Sequence, residues 1–207
     1  MTAIRNCQII LGTGEKISHN LQRINLFIGE NSTALINAIA EASCGIHNSS
    51  GGVRCVNFEI EHNEKRYIVT SVSTEVGTTS IVKYPNDRNV YNEAAFSEFD
   101  SIKKDFSFNS RNFFKNDKIC KYESLLSDEE ISLRNYKEFI GELERYKEER
   151  PIFICGFFEK IKRQDRLAVI DELLKTAPDS QIFIAVRRDV FGKNFSGERI
   201  ISENFDS

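Results

Sequence analysis

Apolar positions in this chain follow two periods, and the change of period marks its parts. Ile4–Leu11 (IRNCQIIL) predicts a strand, Gly12-Thr13-Gly14 a turn, and Glu15–His19 a returning strand. Val53–Ile60 and Lys65–Val72 alternate apolar with polar and are rich in β-branched and aromatic residues. With His62-Asn63-Glu64 between them they predict a hairpin, and Thr78–Tyr84 a third strand beside it. These strands together predict a small antiparallel lobe. Three further runs, Ile24–Ile28, Ile152–Cys155 and Gln181–Val186, are apolar throughout, the mark of strands buried on both faces.

Helical patterns fall between the fully apolar strands. Ser32–Ala42 mixes apolar with small residues, and Gln164–Thr176 places Leu167, Ile170, Leu173 and Leu174 on one face. Ser127 with Glu130 three residues on forms a capping box that opens a helix running to about Glu149. Pro178-Asp179 is a turn, and Arg199–Ser202 predicts a closing strand. Two buried strands joined by an amphipathic helix make a βαβ unit, hence a parallel sheet that the Ile24 strand can join. His47–Gly52 (HNSSGG) reads as a linker. Pro85–Lys121 reads as irregular, Phe-anchored chain, with a partner-facing aromatic surface as the alternative.

Composition narrows the class. With 207 residues, 40% of them hydrophobic and 29% charged, the chain fits one globular domain or one domain with a small lobe. A net charge of -3 exerts no global pull on nucleic acid or anionic membrane. Sixteen Phe and no Trp predict a Phe-packed core. The five cysteines are scattered without a Cys-x-x-Cys pair, which predicts free thiols in a reducing cytoplasm and no metal site. No apolar run approaches the ~20 residues that span a bilayer, and the amino-terminal segment lacks a signal-peptide layout, so a cytoplasmic protein without membrane contact is expected.

The stretch INLFIGENSTALINAIAEA, Ile24–Ala42, carries the functional question. A strand, a Gly-led loop and a helix in that order are the frame of a phosphate-binding P-loop, G-x-x-x-x-G-K-[ST]. Its backbone N–H groups cradle phosphates, its Lys reaches the terminal ones and its hydroxyl holds magnesium. Counted from Gly29, however, Ala34, Leu35 and Ile36 stand at the Gly, Lys and Ser/Thr positions. Taking Ser32-Thr33 as the end of the motif instead leaves about four residues missing after Asn31, the Gly-Lys pair among them. The Gly12–Lys16 run lacks the same ending and reads as a hairpin turn.

The order of parts resembles the ATPase heads of the ABC superfamily, in the SMC/RecF-like, AAA ATPase, overcoming-lysogenization-defect-like branch. FIGEN-STALINAIAEA matches its Walker A unit, LLSDEEISLRNYKEFI its signature loop and helix, and RPIFICGFFEK its Walker B strand. RQDRLAVIDELLKTA, QIFIAVRRD and FSGERIIS match the helix, switch strand and closing strand that follow. The resemblance spans most of the chain. It implies an α/β, P-loop NTPase-like head, a mixed sheet flanked by helices with an antiparallel β-lobe. Residues 1–207 would form one domain. Its β-lobe parts are about 1–23 and 53–84, its variable Phe-rich segment is about 85–121, and its helical, Walker B-like part is about 122–207.

The departures from that family are systematic. Walker A lacks Gly-Lys. Asp128-Glu129 follow Leu126-Ser127 where the family has small residues and Gly, and carboxylates there repel a γ-phosphate. Cys155-Gly156 stand where an Asp and a Glu end Walker B, with Glu159 the first carboxylate. Val186-Arg187-Arg188-Asp189 contain no switch His. Loss at four stations implies a non-hydrolysing head without catalytic residues or cofactor, acting through a protein partner such as an ABC-type ATPase or a defence effector, in DNA repair or phage defence. A second reading keeps ATP and Mg on a rebuilt site, with Gly29, Asn31, Ser32 and Thr33 at the phosphates, Glu159 as the acid, and a partner subunit completing it. A third reading is a nucleic-acid accessory protein using Lys160, Lys162, Arg163, Arg166, Arg187 and Arg188. Glu59, Glu61 and Glu64 alternate as a solvated strand face does, and His19, His47 and His62 read as surface residues.

Overall fold

The computed structural model describes residues 2–43, 52–74, 77–88, 92–101 and 151–201. Six of its strands precede residue 84: β1 Thr2–Leu11, β2 Lys16–Asn20, β3 Ile24–Ile28, β4 Val53–His62, β5 Lys65–Thr74 and β6 Gly77–Lys83. All but β3 form one antiparallel sheet in the order β2-β1-β4-β5-β6. The β4–β5 hairpin closes on Asn63 and Glu64, both in the left-handed region at φ 47° and 67°. Two such residues match the right-handed twist of the strands they join. Between Ile4 and Cys7, β1 carries one residue more than β4 opposite it, a bulge that sends Arg5 and Asn6 both outward.

The predicted parallel layer is present. β7 (Ile152–Cys155) and β8 (Ile182–Val186) flank β3 together with β9 (Glu198–Ile201), in the order β7-β8-β3-β9, and every pairing is parallel. Alternate residues of these strands enter two separate cores. Phe27, Phe153, Phe183 and Ile200 face the antiparallel sheet, while Leu26, Ile154, Ile184 and Val186 face away from it. That is why the three runs are apolar at every position.

Helix α1, Ser32–Ser43, lies between the two sheets, packed on β3, β7 and β8 on one side and on β4 and β5 on the other. Its Leu35, Ile36, Ala38, Ile39, Ala40 and Ala42 are all buried. A helix apolar all round needs cover all round, and here two sheets supply it. Residues 93–101 form α2. The far face of the parallel sheet is covered by α3 (Phe157–Lys160), a single turn, and α4 (Arg166–Thr176), which buries Val169, Ile170 and Leu173. The layers therefore run antiparallel sheet, α1, parallel sheet, α3 and α4. Leu167 and Leu174, read as part of the buried face of α4, lie at its half-buried margin, and Val169 takes a core position instead.

One buried amide side chain ties the two sheets, and a second braces the entry to β3. Gln181 receives the Ile4 N–H at 2.8 Å and donates to the carbonyls of Ile4 at 2.7 Å and Gln22 at 2.8 Å. Asn25 receives the Gln22 N–H and donates back to the Gln22 carbonyl, each at 2.8 Å.

The stretch from Pro85 was expected to be irregular, and over 93–101 it is helical instead. Asn92 caps α2 by accepting the Ala95 N–H at 3.0 Å, and Ala95 and Phe99 enter the core beside Tyr67. Phe99, 2% exposed, is therefore a core residue and presents no partner-facing surface. Glu98 accepts from Tyr67 Oη at 2.8 Å and Lys65 Nζ at 3.1 Å, anchoring the helix to β5. Phe106, Phe108, Phe113, Phe114, the capping box at Ser127, the signature-like run and the linker from His47 to Gly51 lie outside the described residues.

Candidate functional site

Because β3, β7, β8 and β9 are parallel, their carboxyl ends meet at one edge of the sheet. In open α/β sheets that edge is where ligands sit. Here it carries the Gly29–Ser32 loop, Gly156–Glu159 and Arg187–Asp189.

The loop is one tight turn. Gly29 sits at φ 128°, open to glycine and strained for other residues, and its N–H donates to the Val186 carbonyl at 3.0 Å. The Ser32 N–H returns to the Gly29 carbonyl at 3.1 Å, closing the turn in four residues. The Leu35 N–H bonds the Asn31 carbonyl at 3.0 Å and starts α1. Ser32 is fully buried, and its hydroxyl donates at 3.0 Å to the same Val186 carbonyl that holds Gly29. Thr33 and Glu30 are exposed, and Asn31 is half-buried.

After β7 the chain turns at once at Gly156, whose φ of 71° lets α3 begin directly beneath the edge. Phe157 and Phe158 are buried below it, and Phe158 packs on Phe191, with the ring centroids 5.1 Å apart. Glu159 is thereby aimed at the end of β8, where its carboxylate accepts the Arg187 N–H. The Arg187 guanidinium reaches back to Glu30 at 3.9 Å, an exposed pair of the kind that contributes about 0–1 kcal/mol.

The structure thus brings Glu159, Arg187 and Glu30 together in one chain of contacts. Arg166 belongs to the scaffold: its guanidinium donates to the carbonyls of Ile161 and Val190 at 2.8 Å and of Glu159 at 3.4 Å. Lys160, Lys162 and Arg163 lie on α3 and the connection to α4, the last two exposed. Arg187 and Arg188 are exposed at the end of β8. On the antiparallel lobe, Glu59 and Glu61 pair with Arg66 at 3.4 Å and Arg5 at 3.1 Å.

Asp189 and Arg199 do more in this edge than their sequence context announces. Asp189 accepts the N–H groups of Phe191 at 3.1 Å and Gly192 at 3.0 Å, and pairs with Arg199 at 2.5 Å. Arg199 also donates to the Gly192 carbonyl and lies 5.6 Å over the Phe195 ring. The readable signal was an Asp two and three residues before Phe191-Gly192, the spacing of a side chain that bonds the backbone ahead of it. Partial burial pushes the Asp189 carboxyl upward. The two N–H groups and the guanidinium outweigh that, and its pKa falls below the ordinary 3.8.

This has a consequence in acid. A carboxyl depressed by folding stabilises the native state above its unfolded value, and that stabilisation is lost as pH falls below 3.8 through the folded value. Asp189→Asn should be less stable than the parent at neutral pH and should lack this part of the acid limb. Urea titrations of both proteins at neutral pH and below the unfolded value measure it. Parallel acid limbs would refute the assignment.

Among the described residues no helix is long and apolar enough to cross a membrane, and no group of three His, Cys, Asp or Glu is placed to hold a metal ion. No family model and no curated protein matches the chain. A solved SMC head bound to the C-winged helix domain of ScpA matches with a TM-score of 0.49 at 9% identity, covering 91% of this chain and 90% of that one. The SMC head domain from Thermotoga maritima matches with a TM-score of 0.52 at 10% identity, over the same 91% and 90%. With its antiparallel sheet, central helix and parallel sheet, this chain has the fold of an SMC head domain.

Proposed function

We propose that this chain is a P-loop NTPase-like head, of the ABC kind, that does not hydrolyse nucleotide and works in the cytoplasm as an interaction or regulatory module. The observation that carries the proposal is the Gly29–Ser32 turn. A triphosphate cradle needs several N–H groups turned to one point and a hydroxyl free for magnesium. Here the Gly29 and Ser32 N–H groups and the Ser32 hydroxyl are already spent on the Val186 and Gly29 carbonyls. Glu30, exposed in the same turn, is paired with Arg187 at 3.9 Å, so the nearest cation is already partly neutralised by a carboxylate. β7 ends at Cys155 and turns at Gly156 with no carboxylate at either position for a metal, and Glu159 is engaged by the Arg187 N–H. These residues do not fit a magnesium–triphosphate. Phosphoryl transfer is nearly all positioning and charge neutralisation, and the groups that supply both are missing.

What remains is a rigid, layered scaffold suited to docking a protein, an ABC-type ATPase or a defence effector in this reading, within DNA repair or phage defence. Titration of a fluorescent ATP analogue with magnesium should show no saturable micromolar binding. Saturable binding released by chelating the metal would return the chain to the enzymes. Inserting Gly-Ser-Gly-Lys between Asn31 and Ser32 should raise nucleotide affinity measurably, because it restores both the cradle and the Lys. An unchanged thermal shift with ATP in that variant would count against the equivalence of this turn with a phosphate loop. Co-purification from native cells identifies the partner. A mobility shift on DNA that weakens with salt and with Arg187→Ala/Arg188→Ala would favour the nucleic-acid reading instead.

A further inference from the structure

The outward face of the antiparallel sheet contains a hollow of about 360 Å³, away from the carboxyl edge of the parallel layer. The bulge in β1 makes it: Asn6 is displaced outward, and β2 ends at Asn20 beside it. Four carboxamides, Asn6, Gln8, Asn20 and Asn57, line the hollow with Ser18, Glu59 and Ile68. Asn6 Nδ2 donates to Glu59 at 3.2 Å and Gln8 Nε2 to Ser18 at 3.2 Å, so part of the lining is held in place before anything binds. Arg66, the neighbouring cation, is paired with Glu59 at 3.4 Å.

The lining selects its ligand by elimination. No Lys or Arg lines it, its one basic ring, His19, is already paired with Glu198 at 3.9 Å, and the carboxylate of Glu59 faces it, which disfavours phosphates and other anions. A single carboxylate is too few for a metal. Of the two rings among the lining residues, Phe58 is 1% exposed and the His19 imidazole is paired with Glu198 at 3.9 Å, so neither offers a nucleobase a broad free face to stack on. The hollow lies across four strands on the sheet face and not along an edge, so an added peptide strand gains no ladder hydrogen bonds. Carboxamides and a carboxylate on one side and Ile68 on another suit a ring with hydroxyls at its rim and C–H bonds on its face. Neighbouring hydroxyls can donate to Glu59 and accept from Asn57, and the volume is within the ~300–1,000 Å³ of small-molecule sites.

We propose that this hollow binds a neutral polyhydroxylated ring, a monosaccharide. Ligand-observed NMR and calorimetric titration of the whole chain with D-glucose and D-ribose should show saturable, millimolar binding. Asn57→Leu removes one neutral donor–acceptor pair and should weaken it about tenfold. Asn6→Ala, a change at an exposed bulge position, gives a second reading should Asn57→Leu perturb the sheet. Adenosine should bind no better than ribose. Absence of saturable sugar binding, binding indifferent to both substitutions, or adenosine binding that survives loss of its ribose hydroxyls would each overturn the proposal.

Discussion

Replacing Gln181 with leucine is expected to cost about 2–4 kcal/mol of stability. Leucine fills nearly the same volume, so the loss reports hydrogen bonds and not a cavity. Gln181 is 1% exposed, and its carboxamide satisfies both backbone groups of Ile4 and the carbonyl of Gln22. Ile4 needs that help because β2 pairs with β1 only from Asn6 onward. One side chain of the parallel layer thus stands in for the missing continuation of a strand in the antiparallel layer. Without it, a buried N–H and two carbonyls lose their partner, and unmade bonds in a dry site cost the full desolvation of each group. For a chain of this size the melting point should fall by roughly 4–16 °C. Urea unfolding should show an earlier midpoint with an unchanged slope. A loss under about 0.5 kcal/mol, the level of an ordinary surface substitution, would mean the two sheets are not joined through this residue.

The same residue shows where sequence reading works and where it stops. Strand and helix positions followed from period alone, since β3, β7 and β8 are apolar throughout and β4 and β5 alternate. The parallel layer followed from the βαβ order. Gln181, by contrast, reads as the polar first residue of an apolar strand. Nothing local says that its partner lies 177 positions away. The α2 helix was hidden for another reason. Its Asn92 cap and Phe99 anchor sit in a stretch crowded with Asn, Ser and Asp, which outweigh one short apolar face in any composition-based reading. At the carboxyl edge, the absence of Gly-Lys was legible at Gly29–Ser32 by counting. The direction of the Ser32 hydroxyl was not, because it depends on Val186 arriving from a strand 154 residues later. Arg166 misled for a related reason: as one of six basic residues it looks like surface charge, yet three carbonyls from two other segments surround its guanidinium.

In the function proposed above, the architecture persists without a nucleotide because the two sets of residues barely overlap. The core residues of β3, α1, β7 and β8 hold the layers, while the Walker groups belong to loops at the edge. Removing loop chemistry leaves the burial of Phe27, Leu35, Ile39 and Phe183 untouched. The geometry at the edge is then set by the core, and a core substitution tests this dependence.

Phe183→Ala should be the most damaging single change, at about 3–5 kcal/mol. Phe183 is fully buried on β8 between β7 and β3. Its ring stacks on Phe153 with centroids 4.8 Å apart and meets Phe27 at 6.4 Å. Truncation removes transfer energy and leaves a cavity that two rigid sheets and α1 cannot readily collapse. Phe183→Leu, which retains much of the volume, should cost distinctly less. The effect should also travel. Three residues further along β8, the Val186 carbonyl holds both the Gly29 N–H and the Ser32 hydroxyl, so slackening β8 loosens the turn at the candidate site. Chemical denaturation measures the first effect, and native-state hydrogen exchange at the Gly29 amide measures the second. If Phe183→Ala destabilises globally while Gly29 protection falls no further than that of surface amides, the turn is held by its own local bonds. Core packing would then not set the geometry of the edge.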